Sequence, residues 1–244
     1  MKKKLIFYVV FLTILLGSGC AKDDSTDAID QELQLEELYQ AAVEDAIIAD
    51  SSEICDTLWS INAGNTKLEW RTMNNEQYVL AGNFNKHPES YSDSSLVNSW
   101  GVIWIFLPKQ FRSRIMSSTI QNNDTLLRMR QLLGMPPSNT NNYIVELWVR
   151  PADLYRPAGD NEIDDHSAGL YLSPNANPEY VQWFNQNIYD SYFGDWTLYP
   201  WTRLGYTYDW ANSTSEVGLS EFCIKENSVI YVKKLYPATE YLKN

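Results

Sequence analysis

The sequence predicts an α+β fold with a mainly antiparallel sheet and interspersed helices, one domain following an acidic helical tether. Three observations carry this. Helix-period and strand-period segments are interspersed along the chain rather than grouped in blocks. The pair Asn74-Asn75 separates two strand-like runs, which is a hairpin signal. Aromatic residues make up 14% of the chain, a composition that builds a core and that disordered segments lack.

The elements follow in order. Asp30 to Asp50 reads as a helix: Leu35, Leu38, Ala42 and Ala46 fall at helical spacing, Asp30 can cap, and the first turn is acidic. This helix either forms a stalk or packs on the body. Lys67 to Arg71 and Gln77 to Ala81 are the two arms of the hairpin. Trp100 to Leu107 is a near-continuous apolar run of strand length, the pattern of a strand buried on both faces. Pro108 then opens a helix, because proline is favoured in a first helical turn. Asn123 or Asp124 caps a second helix through Leu133, which Gly134 and Pro136-Pro137 stop.

Tyr143 to Val149 is the next strand, with Tyr143, Val145 and Leu147 alternating with Glu146 and Trp148. Pro151-Ala152-Asp153-Leu154 opens a short helix. The order strand, proline, short helix thus occurs at Trp100–Phe111 and again at Tyr143–Tyr155, a pattern consistent with a pseudo-repeat. Pro178 to Tyr192 is a third helix, with Tyr180, Val181, Phe184 and Ile188 on one face. Val229 to Val232 is a last strand before a polar tail.

The N-terminus carries an address. Lys2, Lys3 and Lys4 precede an apolar run of 12 residues, Leu5 to Leu16, and then Gly17-Ser18-Gly19-Cys20. A bilayer core needs about 20 apolar residues, so this run is a secretory signal rather than a span. Small residues before a cysteine resemble the lipobox of bacterial lipoproteins, although Gly17 stands where a leucine is usual. The resemblance implies cleavage before Cys20, a diacylglycerol on its thiol and an acylated new amino end. Lys22-Asp23-Asp24 behind it resembles the surface-export signal of Bacteroidota lipoproteins. The implied organisation is a signal peptide over 1–19, a lipid-anchored acidic tether over 20–56 and a globular domain over 57–244. The implied location is the outer membrane, facing the cell exterior.

Charge supports the tether. Residues 21–56 hold 12 acids against Lys22, a net −11. The whole chain is −12, the mature chain −15 once the three signal lysines are gone, and the body only −4. An acidic stalk is repelled by anionic lipid and holds the body away from the membrane. No basic face suited to nucleic acid is present. With Cys20 lipidated, Cys55 and Cys223 are an even pair in an exported chain. The expectation is a disulfide joining the two ends of the body, with two buried thiols as the alternative.

Two stretches are chemically suggestive. Tyr199 to Trp210 contains Trp201, Arg203, Tyr206, Tyr208, Asp209 and Trp210. Aromatic faces stack on sugars and cations, and a nearby arginine or aspartate supplies directional hydrogen bonds. A pocket bordered by Arg203, Tyr206, Tyr208, Asp209 and Trp210, with Arg156 or Glu146 as neighbours, is the expected ligand site. The alternative is that these side chains pack under the sheet. The second stretch, Asp160, Glu162, Asp164, Asp165 and His166, offers oxygen ligands at close spacing, but it lacks the glycine and the distal glutamate of a calcium loop. A solvated acidic loop is the better reading, with no metal and no cofactor.

Catalytic signatures are sparse. There is no Gly-x-Ser-x-Gly elbow, phosphate-binding glycine loop or His-Glu-x-x-His. The first functional reading is therefore a surface-tethered binding or accessory module for a glycan or peptide. The second is a hydrolase using two carboxylates, drawn from Glu146, Asp160, Glu162, Asp165 and Asp209. The third is an envelope lipoprotein without a small ligand.

Overall fold

A computed structural model describes residues 24–120 and 123–243. The signal segment, Cys20 and Lys22-Asp23 lie outside the described residues. No helix among those described is long and apolar enough to cross a membrane.

The fold is α+β, and every strand pairing in it is antiparallel. Strands are β1 Trp70–Met73, β2 Glu76–Asn85, β3 Ser95–Val97, β4 Ile103–Phe106, β5 Tyr143–Val149, β6 Leu154–Tyr155, β7 Tyr206–Tyr208, β8 Val217–Ile224 and β9 Val229–Pro237. They line up as β3-β9-β5-β2-β4-β8-β6, with β1 added on β2 and β7 on β8. Helices are α1 Asp24–Ala46, α2 Pro108–Met116, α3 Thr125–Leu132, α4 Pro178–Tyr192 and the single turn α5 Ala238–Tyr241.

Local chemistry explains the boundaries. Asn74 and Asn75 both have positive φ, 52° and 64°, the two-residue turn whose twist matches that of the flanking strands. Asp124 caps α3 by accepting from the Leu127 amide at 2.9 Å, and Asn177 caps α4 through the Glu179 amide at 2.8 Å. Gly134, at φ 63°, ends α3 in the left-handed conformation that glycine adopts without strain.

The sheet is covered on both faces. Val79, Ala81, Ile103, Ile105, Val145, Leu147, Val149, Phe222 and Ile224 form one core. Phe84, Phe106, Phe111, Ile115, Met129, Leu132, Ile144 and Leu219 form the other, beneath α2, α3 and α5. Burying each such side chain contributes about 1.5–3 kcal/mol. The strand-proline-helix pattern occurs twice as local structure: β4 leads into α2, and β5 into a single 3-10 turn at Pro151–Asp153. Both strands pair with β2, one on each side.

Four expectations are corrected. Of the two fates for the tether helix, α1 packs on the body, burying Tyr39, Ala42, Val43 and Ala46 while Leu38 stays exposed. Its buried stripe is thus rotated from the one the spacing suggested. The chain does not end in a polar tail: β9 runs to Pro237, and Tyr241 is fully buried. Strand β8 was not anticipated at all. The expected disulfide is absent, because Cys55 and Cys223 are both free thiols. Cys223 is fully buried on β8, opposite Trp104 and Tyr155. Cys55 packs instead with the separate cluster around Leu58 and Ala158.

Candidate functional site

The sheet opens where β2 and β4 part. These strands share one paired position, Gly82 with Phe106. A Cβ on Gly82 would lie 2.4 Å from the Phe106 ring, so only glycine lets the two approach there. Beyond that point Asn83 to Asn85 and Val102 to Phe106 line a cleft of about 850 Å³, within the range of small-molecule sites.

Its lining is aromatic: Tyr91, Trp100, Trp104, Trp196, Tyr199, Trp201 and Tyr208, with Phe84 and Phe106. Trp100 and Trp196 are about half exposed, at 51% and 52%. Trp104 and Trp201 meet edge to face, centroids 6.1 Å apart, and the Trp201 indole donates to the Pro157 carbonyl at 3.0 Å. Trp196 is steered by its indole N–H, which donates to the Asp190 carbonyl at 2.6 Å. Gly194 gives it room, since a Cβ there would fall 2.1 Å from the ring.

Polar groups are few. Asn83 and Tyr91 are committed to the protein: the Asn83 amide donates to the Trp104 carbonyl at 2.9 Å, and the Tyr91 hydroxyl donates to Asn83 Oδ1 at 3.3 Å. The side-chain amide nitrogens of Asn85 and Asn187 have no hydrogen-bond partner among the described residues. Among the described residues, two carboxyls, Asp190 and Glu221, line the cleft, with His87 and the hydroxyls of Tyr91, Tyr199 and Tyr208, and no lysine or arginine. Glu221 is the unusual one. It is partly buried at the cleft, and loss of water there pushes its carboxyl up to about 8.

Of the seven residues expected to border a pocket, Tyr208 alone lines the cleft; Tyr199 and Trp201 of the same stretch line it too. The Tyr208 hydroxyl donates to Asp45 Oδ2 of α1 at 2.8 Å. Asp209 is buried and held by Arg128. Arg203 has φ 60° and donates from Nη2 to the carbonyls of Ala46 and Ile47 at 3.0 and 2.8 Å, closing the end of α1. Tyr206 is buried and donates to the Glu53 carbonyl at 2.9 Å. Trp210 packs edge to face with Tyr39, and its indole donates to the Met135 carbonyl at 2.9 Å. The backbone through this stretch turns at Arg203 and Gly205, both at positive φ.

Arg156 and Glu146 are structural as well. Arg156 is fully buried, stacks its guanidinium over Phe222, and donates to the carbonyls of Glu162 and Asp165 at 3.0 and 3.1 Å. The acidic loop is organised around it: Asp160, Glu162 and Asp165 hold carboxylate oxygens within 4.8 Å of one another. Glu146 lies in a buried network, accepting from the Tyr241 hydroxyl at 2.8 Å and Arg112 at 3.2 Å, with Lys233 at 3.3 Å. A bulge opposite Glu146 and Leu147 frees Lys233 from strand register to reach it.

Sequence reasoning missed Glu221, and a signal was there. Val217 to Ile224 alternates, with Leu219, Glu221 and Cys223 on one face and Ser220, Phe222 and Ile224 on the other. An acid between two apolar residues on the same face marks either a solvated edge or a buried carboxyl with a task. No family model, no curated protein and no solved structure matches this chain.

Proposed function

We propose that this protein is a lipid-anchored protein of the outer surface that binds a carbohydrate in the cleft between β2, β4, β8 and α4. The observation that carries the reading is the cleft's lining: four tryptophans, two of them about half exposed, beside amides and carboxyls and without a lysine or arginine. Flat apolar faces with polar edges suit pyranose rings, and a wall with carboxyls and no cation offers nothing to phosphates and acidic peptides. The test is a glycan array with the mature chain, followed by calorimetry on Trp196→Ala and Trp100→Ala. Loss of binding with thermal stability kept supports the site. Undiminished binding in both variants removes it.

The anchor is the second half of the proposal. It rests on the lysine head, the short apolar run and Gly17-Ser18-Gly19-Cys20. Cys20→Ala releases the protein from the membrane fraction if the thiol is lipidated, and Lys22-Asp23-Asp24→Ala removes protease accessibility on intact cells if that segment directs export.

One observation favours a hydrolase as the alternative: Glu221 and Asp190 line the same cleft. Recovering the bound glycan intact after long incubation decides against it.

A further inference from the structure

Glu221 has a position but no partner. Its backbone is tied into the sheet, pairing across to Phe106 and donating to the Gly205 carbonyl at 3.0 Å. Its carboxyl has no hydrogen bond or ion pair among the described residues. On the same face of the sheet, Phe106 is directly opposite, Trp104 is on the diagonal toward Cys223, and the cleft opens above them. The other titratable groups of the cleft are Asp190 on α4, Tyr208 on β7, and His87, Tyr91 and Tyr199 on the flanking loops. Tyr192 on α4 and Cys223 on β8 pack close enough to feel the Glu221 charge. Arg203, the cation over the Tyr192 ring, is already committed to the end of α1. A partly buried carboxyl on an apolar cleft floor favours its protonated form, and it can accept a cation that the protein itself does not supply.

We propose that the floor of the cleft is an ammonium subsite, in which Glu221 pairs with a protonated amine of the ligand beside the aromatic ring of Trp104. The inference rests on the carbohydrate reading and narrows it to sugars with a free amine. Chemistry supports the pairing from both sides. The quadrupole of an aromatic ring attracts a cation, and a carboxylate fixes it. A cation beside the carboxyl also favours its charged form, so binding drives a proton off Glu221 into solvent. A neutral sugar has no such effect.

The experiment compares two tetrasaccharides of the same backbone, β-1,4-linked glucosamine and its fully N-acetylated form, by calorimetry at about pH 5.5, where the free amines are protonated, in two buffers of different ionisation enthalpy. The expected result is that the free-amine tetramer binds roughly tenfold or more tightly than the acetylated one, the scale of one charge-assisted hydrogen bond. It should release about one proton, as linkage requires. Glu221→Gln, close in shape to the protonated acid, should erase the preference and with it the proton release. Equal or tighter binding of the acetylated tetramer, or no proton release by the wild type, overturns the ammonium subsite while leaving the carbohydrate reading standing. Failure of every glycan on the array to bind overturns both. The proton count comes from the wild type, so the outcome does not depend on the variant folding.

Discussion

Arg128 grips Asp209 at two points, Nη1 to Oδ1 at 2.8 Å and Nη2 to Oδ2 at 2.6 Å, with both side chains buried. The pair joins α3 to the turn after β7, and Arg114 of α2 approaches the same carboxylate at 3.7 Å. Removing one partner of such a pair leaves a buried charge uncompensated, a loss of about 3–5 kcal/mol. Asp209→Ala and Arg128→Ala are each expected to lose that much in urea unfolding. The double replacement Arg128→Met with Asp209→Leu is expected to recover most of it, because an apolar pair needs no desolvation. Additive losses in a double-mutant cycle would show that the two residues act separately.

Arg203 combines a helix-closing role with a left-handed backbone. Its guanidinium satisfies two carbonyls at the C-terminal end of α1, where a cation is also favoured by the helix dipole. Arg203→Ala loses these bonds and keeps the positive φ. Arg203→Gly loses the same bonds but relieves the backbone, worth on the order of 1 kcal/mol. The glycine variant is therefore expected to melt above the alanine variant, with both below the wild type. The reverse order would place the cost elsewhere.

The two thiols of the body should differ in reactivity. Cys223 is fully buried, and burial raises its thiol well above the ordinary range. Cys55 is half-buried, with its sulfur 3.3 Å from Thr57 Oγ1. In the Cys20→Ala protein, a thiol reagent should label Cys55 under native conditions and Cys223 only on unfolding, and reductant should not change the melting temperature. A fall in melting temperature under reductant, with no thiol labelled before it, would establish a disulfide.

Glu221 makes unliganded stability fall as pH rises. Its folded-state pKa, about 8, lies above the ordinary glutamate value, so between the two the folded state holds a proton that the unfolded state has released. Stability from this group is complete below the unfolded value and is lost as pH climbs to about 8, by at most about 1.4 kcal/mol per pH unit. Glu221→Gln should flatten this part of a melting-temperature profile. Parallel profiles for the two proteins would mean that the carboxyl is already ionised at neutral pH.

Local structure was legible in the sequence wherever a few neighbouring residues determine it. Asn74-Asn75 specifies its hairpin because asparagine tolerates left-handed φ. Asp124 specifies the start of α3, and Pro178 to Tyr192 spans α4 residue for residue, because caps and first-turn prolines act over three or four positions. The antiparallel α+β class follows from such elements. The site did not follow. Asp209 looks like the partner of Arg203 in the chain, but its partner is Arg128, 81 positions away. The aromatic stretch after Pro200 looks like an exposed strip, yet Trp210 is core because α1 folds back over it, and Tyr206 is core against Leu58, Ala158 and Leu204. The cleft gathers its walls from residues 83–106, 133–135, 187–208 and 221. Which carboxyl loses its water there is decided by how two diverging strands and α4 enclose it, and desolvation is a property of surroundings in space rather than of neighbours in sequence.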